Sequence, residues 1–325
     1  MGQRISNRDI ISVFFITFIF FASANVYATD DLIWAIPKPD PLESDQAPTA
    51  SAELKPLPES LSASKPFIVG GSSTPLGKYP EYALLWVDGL DGNFYAICGG
   101  SLITSDKVLT AAHCTVDFTT SRLAAIPQFH SFSEDATYDN LISVTQKIEH
   151  PDYDKQTGRN NDIAILTLGE PTTTARAKIY GGTNQFVEYT ATVIGTGRLS
   201  DNGDTPNILQ EVNLPIVSNT KCASVWGASS ITPAMVCAGG TSSGGIGACS
   251  GDSGGPLFVV LDGERVQAGI VSWGPNDCAI PNYYDVYART STLIGFVRQY
   301  APGAAIVLDK ENLVPILDLM LLGPD

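Results

Sequence analysis

Basic residues are scarce in this chain: 19 Lys and Arg stand against 34 Asp and Glu, a formal net charge of −15. A nucleic-acid binder needs clustered cations facing the phosphates, so that class is excluded. Long apolar runs are also lacking. The run from Ile10 to Ala22 falls short of the roughly 20 residues that a spanning helix requires. It follows Arg4 and Arg8 and precedes small residues, as a secretory signal does, with cleavage after Ala28 in Val26-Tyr27-Ala28. The expectation is therefore a signal peptide over 1–28, no stable membrane span once it is removed, and secretion to the extracellular space or, in a bacterium, the periplasm. Cysteines are few and none has the C-x-x-C spacing of a zinc or redox site. Their even number, Cys98, Cys114, Cys222, Cys237, Cys249 and Cys278, fits structural disulfides in an oxidising compartment, with the pairing left open by spacing alone.

Histidine is scarcer still. There are three, His113, His130 and His150, and all precede the glycine-flanked serine of Gly251-Asp252-Ser253-Gly254-Gly255. That word matches the G-x-S-x-G elbow of α/β-hydrolases, but such an enzyme needs its acid and its histidine downstream of the serine. The elbow reading is excluded by chain order.

What is present is enough for a sizeable core: 325 residues, 44% hydrophobic and 16% charged. From Thr29 to Phe67 the composition is rich in Ser, Ala, Asp and Glu, with Pro37, Pro39, Pro41, Pro48, Pro56, Pro58 and Pro66 among them. Such a stretch cannot bury enough surface to offset its ordering entropy and is expected to be flexible. Beyond it come short strand-like runs, Tyr82 to Val87, Lys107 to Thr110, Ile163 to Leu168, Thr190 to Ile194, Pro256 to Leu261 and Val266 to Trp273. Gly, Asp, Asn and Pro turns separate them, which predicts an all-β antiparallel barrel or sandwich. Thr292 to Tyr300 has helical spacing and is stopped by Pro302 and Gly303. The apolar tail 301–325, with its run Leu313 to Leu322 broken by Asp318, is of unknown role: packing on the domain is the preferred reading, with a sorting signal or a partner-binding segment as alternatives.

Three residues carry candidate chemistry. Glycines beside Ser253 allow a tight turn that exposes the hydroxyl. His113, in Thr110-Ala111-Ala112-His113-Cys114, is the preferred base, because the adjacent cysteine can lock the backbone that presents the ring, whereas His150 and His130 read as surface loop residues. An imidazole titrating near neutrality can take the serine proton and return it to a leaving group. Asp162, opening the apolar run Ile163-Ala164-Ile165-Leu166, is costly to bury unless donors satisfy it, and an imidazole Nδ1–H would.

Five words in the order His, Asp, Ser now give a resemblance: Ile68-Val69-Gly70-Gly71, Thr110-Ala111-Ala112-His113-Cys114, Asn161-Asp162-Ile163-Ala164, Gly251-Asp252-Ser253-Gly254-Gly255-Pro256 and Ser272-Trp273-Gly274. Over Ile68 to about Tyr300 the sequence resembles the trypsin/chymotrypsin family. The resemblance implies two packed antiparallel six-stranded β-barrels, over about 68–175 and 176–290, followed by a C-terminal helix at 292–300. It implies disulfides Cys98–Cys114, Cys222–Cys237 and Cys249–Cys278, and a serine endopeptidase with the triad His113, Asp162 and Ser253. The oxyanion hole would be the N–H groups of Gly251 and Ser253, and the substrate backbone would pair with Ser272, Trp273 and Gly274. No cofactor or metal is required.

In such a family, a cut before Ile68 frees an amine that pairs with Asp252, so 29–67 would be a propeptide. Phe67 stands where relatives carry Arg or Lys, so the activating protease cutting at Phe67–Ile68 would have an apolar preference. Other implied partners are protein or peptide substrates and proteinaceous inhibitors; the enzyme is expected to be monomeric. The pocket departs from the trypsin pattern, with Gly247 followed by Ala248 at its floor and Asp285 aligned with a wall glycine; a different alignment of the loop Pro275 to Tyr284 would instead leave Asp285 a solvated rim residue. The first alignment resembles an exchange in some crustacean collagenolytic relatives and implies broad cleavage that accepts basic and large apolar residues. A second departure is Gly195-Thr196-Gly197, which lacks the usual Trp between the glycines. The alternative is a non-catalytic homologue acting as a binding or regulatory module; such relatives typically lack the serine or the histidine that this chain retains.

Overall fold

Short apolar and β-branched runs closed off by glycine, aspartate and asparagine fold as strands rather than helices. The computed structural model describes residues 34–39, 67–154, 160–200 and 203–310. In chain order the strands are β1 (Ala35–Pro37), β2 (Ser72–Ser73), β3 (Tyr82–Asp88), β4 (Asn93–Leu102), β5 (Lys107–Thr110), β6 (Leu123–Pro127), β7 (Ile142–Glu149) and β8 (Ala164–Leu168). They continue as β9 (Ile179–Tyr180), β10 (Thr190–Gly195), β11 (Gln210–Val217), β12 (Met235–Gly239), β13 (Pro256–Leu261), β14 (Glu264–Trp273), β15 (Tyr284–Arg289) and β16 (Ile306–Val307).

Two closed antiparallel barrels of six strands result. The first runs β4-β3-β6-β7-β8-β5 and closes by pairing β5 with β4. The second runs β13-β10-β11-β12-β15-β14 and closes between β14 and β13. Closure leaves few strand edges open. In the second barrel β11 alternates with the period of two that a half-buried strand needs, Val212, Leu214 and Ile216 inward, Asn213 and Pro215 outward. Ile194, Phe258 and Ile270 of the second barrel belong to the same hydrophobic cluster as Leu84, Val108 and Ile165 of the first, so the barrels pack directly on each other. The C-terminal helix, Ile294–Tyr300, buries Phe296 and Val297 against that cluster.

The disulfides are Cys98–Cys114, Cys222–Cys237 and Cys249–Cys278, and no described cysteine is free. Two segments outside the barrels add to them. The tail packs on the second barrel as far as it is described: β16 pairs in parallel with β9, and the Asp309 carboxylate accepts from Tyr180 Oη at 2.5 Å and from Thr183 N at 2.7 Å. The remainder of the tail, 311–325, lies outside the described residues, as does the signal segment 1–28.

The N-terminal segment differs from expectation. Within the stretch 29–67 read as flexible, β1 pairs antiparallel with β4, in register Ala35 to Tyr95, Ile36 to Phe94 and Pro37 to Asn93. The physical reason is two large apolar side chains hidden in a polar average. Ile36 is 1% exposed, and Trp34 stacks on Phe132 with ring centroids 4.3 Å apart. Residues 40–66 lie outside the described residues.

Candidate active site

His113 sits on a single 3₁₀ turn, Ala112–Cys114, just past β5. The disulfide from Cys114 to Cys98 of β4 ties that turn to the barrel wall. Asp162 follows Asn161, whose φ of 52° turns the chain into β8. Its carboxylate is fully buried, and three donors satisfy it. The His113 backbone N–H reaches Oδ1 at 2.9 Å, His113 Nδ1 reaches Oδ2 at 2.7 Å, and Ser272 Oγ donates to Oδ2 at 2.6 Å. A carboxylate only accepts, so Nδ1 carries the proton and Nε2 keeps its lone pair. Burial disfavours the imidazolium, but the charge of Asp162 and its hydrogen bond outweigh this and raise the His113 pKa above the ordinary imidazole value.

The Ser272 hydroxyl is the functional group that the sequence reading missed, since only the backbone of that residue was singled out. Register explains how it reaches Asp162: the pairing of β14 with β15 shifts between Val271 and Trp273, and Ser272 sits in that irregularity.

Ser253 lies on a turn built around Asp252. The Asp252 carboxylate is buried and accepts from Gly197 N at 2.7 Å and Cys249 N at 2.9 Å. A Cβ on Gly197 would meet Asp252 Cγ at 2.6 Å, so the Gly195-Thr196-Gly197 word must keep its second glycine. Thr196, where the resemblance leads one to expect an aromatic ring, is buried beside the Tyr82 phenol of the first barrel. Gly254 has φ +75°, and a Cβ there would lie 2.2 Å from Thr110 Oγ1, 2.5 Å from Gly99 O and 3.2 Å from Cys114 Sγ. The serine turn of the second barrel is thereby pressed against the first, and Gly99 N–H donates to Ser253 O at 2.8 Å.

His113 Nε2 lies 3.6 Å from the same Cys114 Sγ. A disulfide sulfur has no proton to give, so the Nε2 lone pair is left for another donor. Among the described residues no hydrogen bond joins Ser253 Oγ to His113, and no acceptor receives the N–H of Gly251 or of Ser253. Cys98, His113 and Cys114 are close enough to suggest a metal site, but both thiols are spent in the disulfide.

Beyond the serine turn, Asp285 of β15 is 7% exposed and accepts from Ala248 N at 2.8 Å. Its oxygens lie 2.9 Å from where a Cβ on Gly247 would sit and 3.1 Å from one on Gly274, so both glycines abut the carboxylate. Burial raises its pKa to about 7 against the opposing Ala248 bond, and the charge of Asp252 adds to the rise. Asp252 is likewise raised to about 7 by burial, its two backbone donors working the other way. Trp273, beside Gly274, meets Trp226 edge to face at 5.0 Å. Ile68 is fully buried, and the next residue receives Gly247 N–H on Val69 O at 3.1 Å.

The family model described as Trypsin matches residues 68–297. Trypsin-1 of Astacus astacus is 35% identical over 240 residues, covering 72% of this chain and all (100%) of that protein. Vitellin-degrading protease of Bombyx mori and trypsin zeta of Drosophila melanogaster are each 35% identical over 240 residues, covering 70% of this chain and 82% of theirs. The match begins at the buried Ile68 and runs through both barrels; on that extent the chain belongs to the trypsin family and is a serine endopeptidase.

Proposed function

We propose that the protein is a secreted zymogen whose catalytic triad is Ser253, His113 and Asp162. Ser253 Oγ attacks the peptide carbonyl while His113 Nε2 takes its proton. The protonated imidazole then gives that proton to the leaving amine, and water hydrolyses the acyl-enzyme by the same route. Asp162 stays ionised, fixing the tautomer and stabilising the imidazolium. The observation that carries this reading is the fully buried Asp162 carboxylate bonded to His113 Nδ1 at 2.7 Å. Catalytic hydrogen bonds of a free enzyme often tighten only with substrate bound, so the Ser253 to His113 bond belongs to the complex. The N–H groups of Gly251 and Ser253 receive the developing oxyanion, each contributing on the order of 3–4 kcal/mol. The backbone of Ser272, Trp273 and Gly274 takes up the substrate as an added strand.

Activation is a cut between Phe67 and Ile68. In the uncut chain Ile68 is held at φ 44°, a region that a β-branched residue rarely occupies, and Asp252 is a buried carboxylate whose described partners are only backbone N–H groups. The new α-amine supplies the missing cation and removes the constraint on φ. Specificity is broad. Asp285 beside Gly247 and Gly274 offers a carboxylate to basic side chains, and large apolar side chains are accepted beside them.

The test is hydrolysis of peptide substrates by the precursor before and after cleavage ahead of Ile68. Activity should rise on cleavage, and a Ser253→Ala protein cleaved in the same way should lose it by roughly 10⁶-fold. Equal activity of the two proteins would overturn the triad.

A further inference from the structure

The strand β1 belongs to the segment that activation would cut away, yet it is built into the domain that remains. Three kinds of contact hold it. The backbone pairs with β4, and Ala96 N and Lys38 N add bonds to Trp34 O at 3.2 Å and Gly92 O at 2.8 Å. Ile36 is buried in the core of the first barrel, among the residues that include Trp86 and Phe132, and Trp34 lies flat on Phe132. Lys38 Nζ reaches Asp88 Oδ2 at 2.6 Å and stands over the Phe94 ring, 5.5 Å from its centroid. All six cysteines of the chain are paired among themselves between Cys98 and Cys278, so no disulfide can tether the severed piece.

We infer that β1 is a non-covalent anchor: after the cut before Ile68 the N-terminal piece stays docked on the β4 edge, and the active enzyme is a two-chain species. The inference rests on the activation reading above. Strand addition supplies register through the backbone and specificity through the side chains it inserts, and here the inserted side chains are Trp34 and Ile36. Removing the strand would open a socket in the first barrel's core and bare the β4 edge, which natural sheets keep covered. Before cleavage the linker holds β1 at high effective concentration; afterwards the docked contacts alone retain it.

The test uses the full precursor cut with chymotrypsin. Phe67 is the sole aromatic residue from 40 to 67, and that protease prefers such residues. Intact-mass measurement and peptide hydrolysis report whether a chain beginning at Ile68 forms and becomes active. Failure there overturns the activation reading. Given that chain, native size exclusion followed by mass spectrometry decides the docking. The N-terminal piece should co-elute with the domain at near equal amounts and separate in urea without any reductant. Separate elution under native conditions overturns the proposal. Ile36→Asp and Trp34→Ala should each abolish co-elution while leaving hydrolysis of a short peptide unchanged. Lys38→Glu, which disturbs no core contact, should weaken it. Undiminished co-elution of all three variants would also overturn the assignment of β1 as the anchor.

Discussion

Ser272 Oγ donates to Asp162 Oδ2 at 2.6 Å across 110 residues of sequence, so the second barrel holds the carboxylate that the first barrel buries. Ser272→Ala should leave the fold intact by circular dichroism and lower kcat by about 10- to 100-fold with little change in KM, the loss expected for a hydrogen bond of about 1.5–3 kcal/mol to a charged group. A change confined to KM would assign Ser272 to substrate binding instead.

On the proposed mechanism, the raised pKa of His113 sets the acid side of the activity profile. Only the neutral imidazole acts as base, so kcat/KM should climb with pH around a midpoint above the ordinary value of about 6.5. Asp162→Asn should shift that midpoint down and reduce kcat by roughly 10⁴-fold. For stability the sign is opposite. A histidine whose folded pKa is raised stabilises fully below its unfolded value and loses that contribution as pH rises through the folded one. The stability advantage of the native pair over His113→Gln, followed by urea unfolding, should therefore shrink toward alkaline pH.

On the proposed pocket reading, Asp285 makes the choice of substrate depend on pH. Its carboxyl is protonated below about pH 7 and charged above it. The ratio of kcat/KM for substrates with Lys or Arg before the cut bond over those with Leu or Phe should rise through neutrality by about tenfold. His113 affects both substrates alike and cancels from the ratio. Asp285→Asn should flatten it; a ratio that still rises in that variant would take Asp285 out of the recognition site.

Glu81, just ahead of β3, is 4% exposed and receives both Nε and Nη2 of Arg265 from β14, at 2.9 and 2.6 Å. Arg265 also stacks over Tyr79, 4.6 Å from its centroid. Arg265→Met strands a buried carboxylate and should cost about 2 kcal/mol in urea unfolding, less than a fully buried pair because the arginine is a third exposed. Adding Glu81→Gln to that variant should recover part of the loss.

Much of the fold was legible because turn residues frame the strands. Lys107–Thr110 and Pro256–Leu261 lie where the apolar runs put them, bounded by Ser105-Asp106 and Asp262-Gly263. The residues around His113, Asp162 and Ser253 were legible as words, since each sits in a short contiguous motif, although the groups that hold them come from far along the chain. What escaped depends on register and long-range packing. The β14 irregularity that turns Ser272 toward Asp162 has no local signature. Trp34 and Ile36 stand among prolines, and their burial requires Phe132 and the β4 edge, both distant in sequence. Asp285 could be aligned two ways because of the loop from Pro275 to Tyr284; its approach to Gly247 and Gly274 is a three-dimensional fact.

The clasp of Asp309 on Tyr180 and Thr183 bears on where the peptidase unit stops. The family match ends at Val297, but β16 completes a sheet begun by β9 beyond that point. A truncation at Tyr300 would strip β16 from the strand β9 that flanks the second barrel and leave a phenol and a backbone amide without their shared acceptor, so a shortened enzyme should retain residues through Asp309.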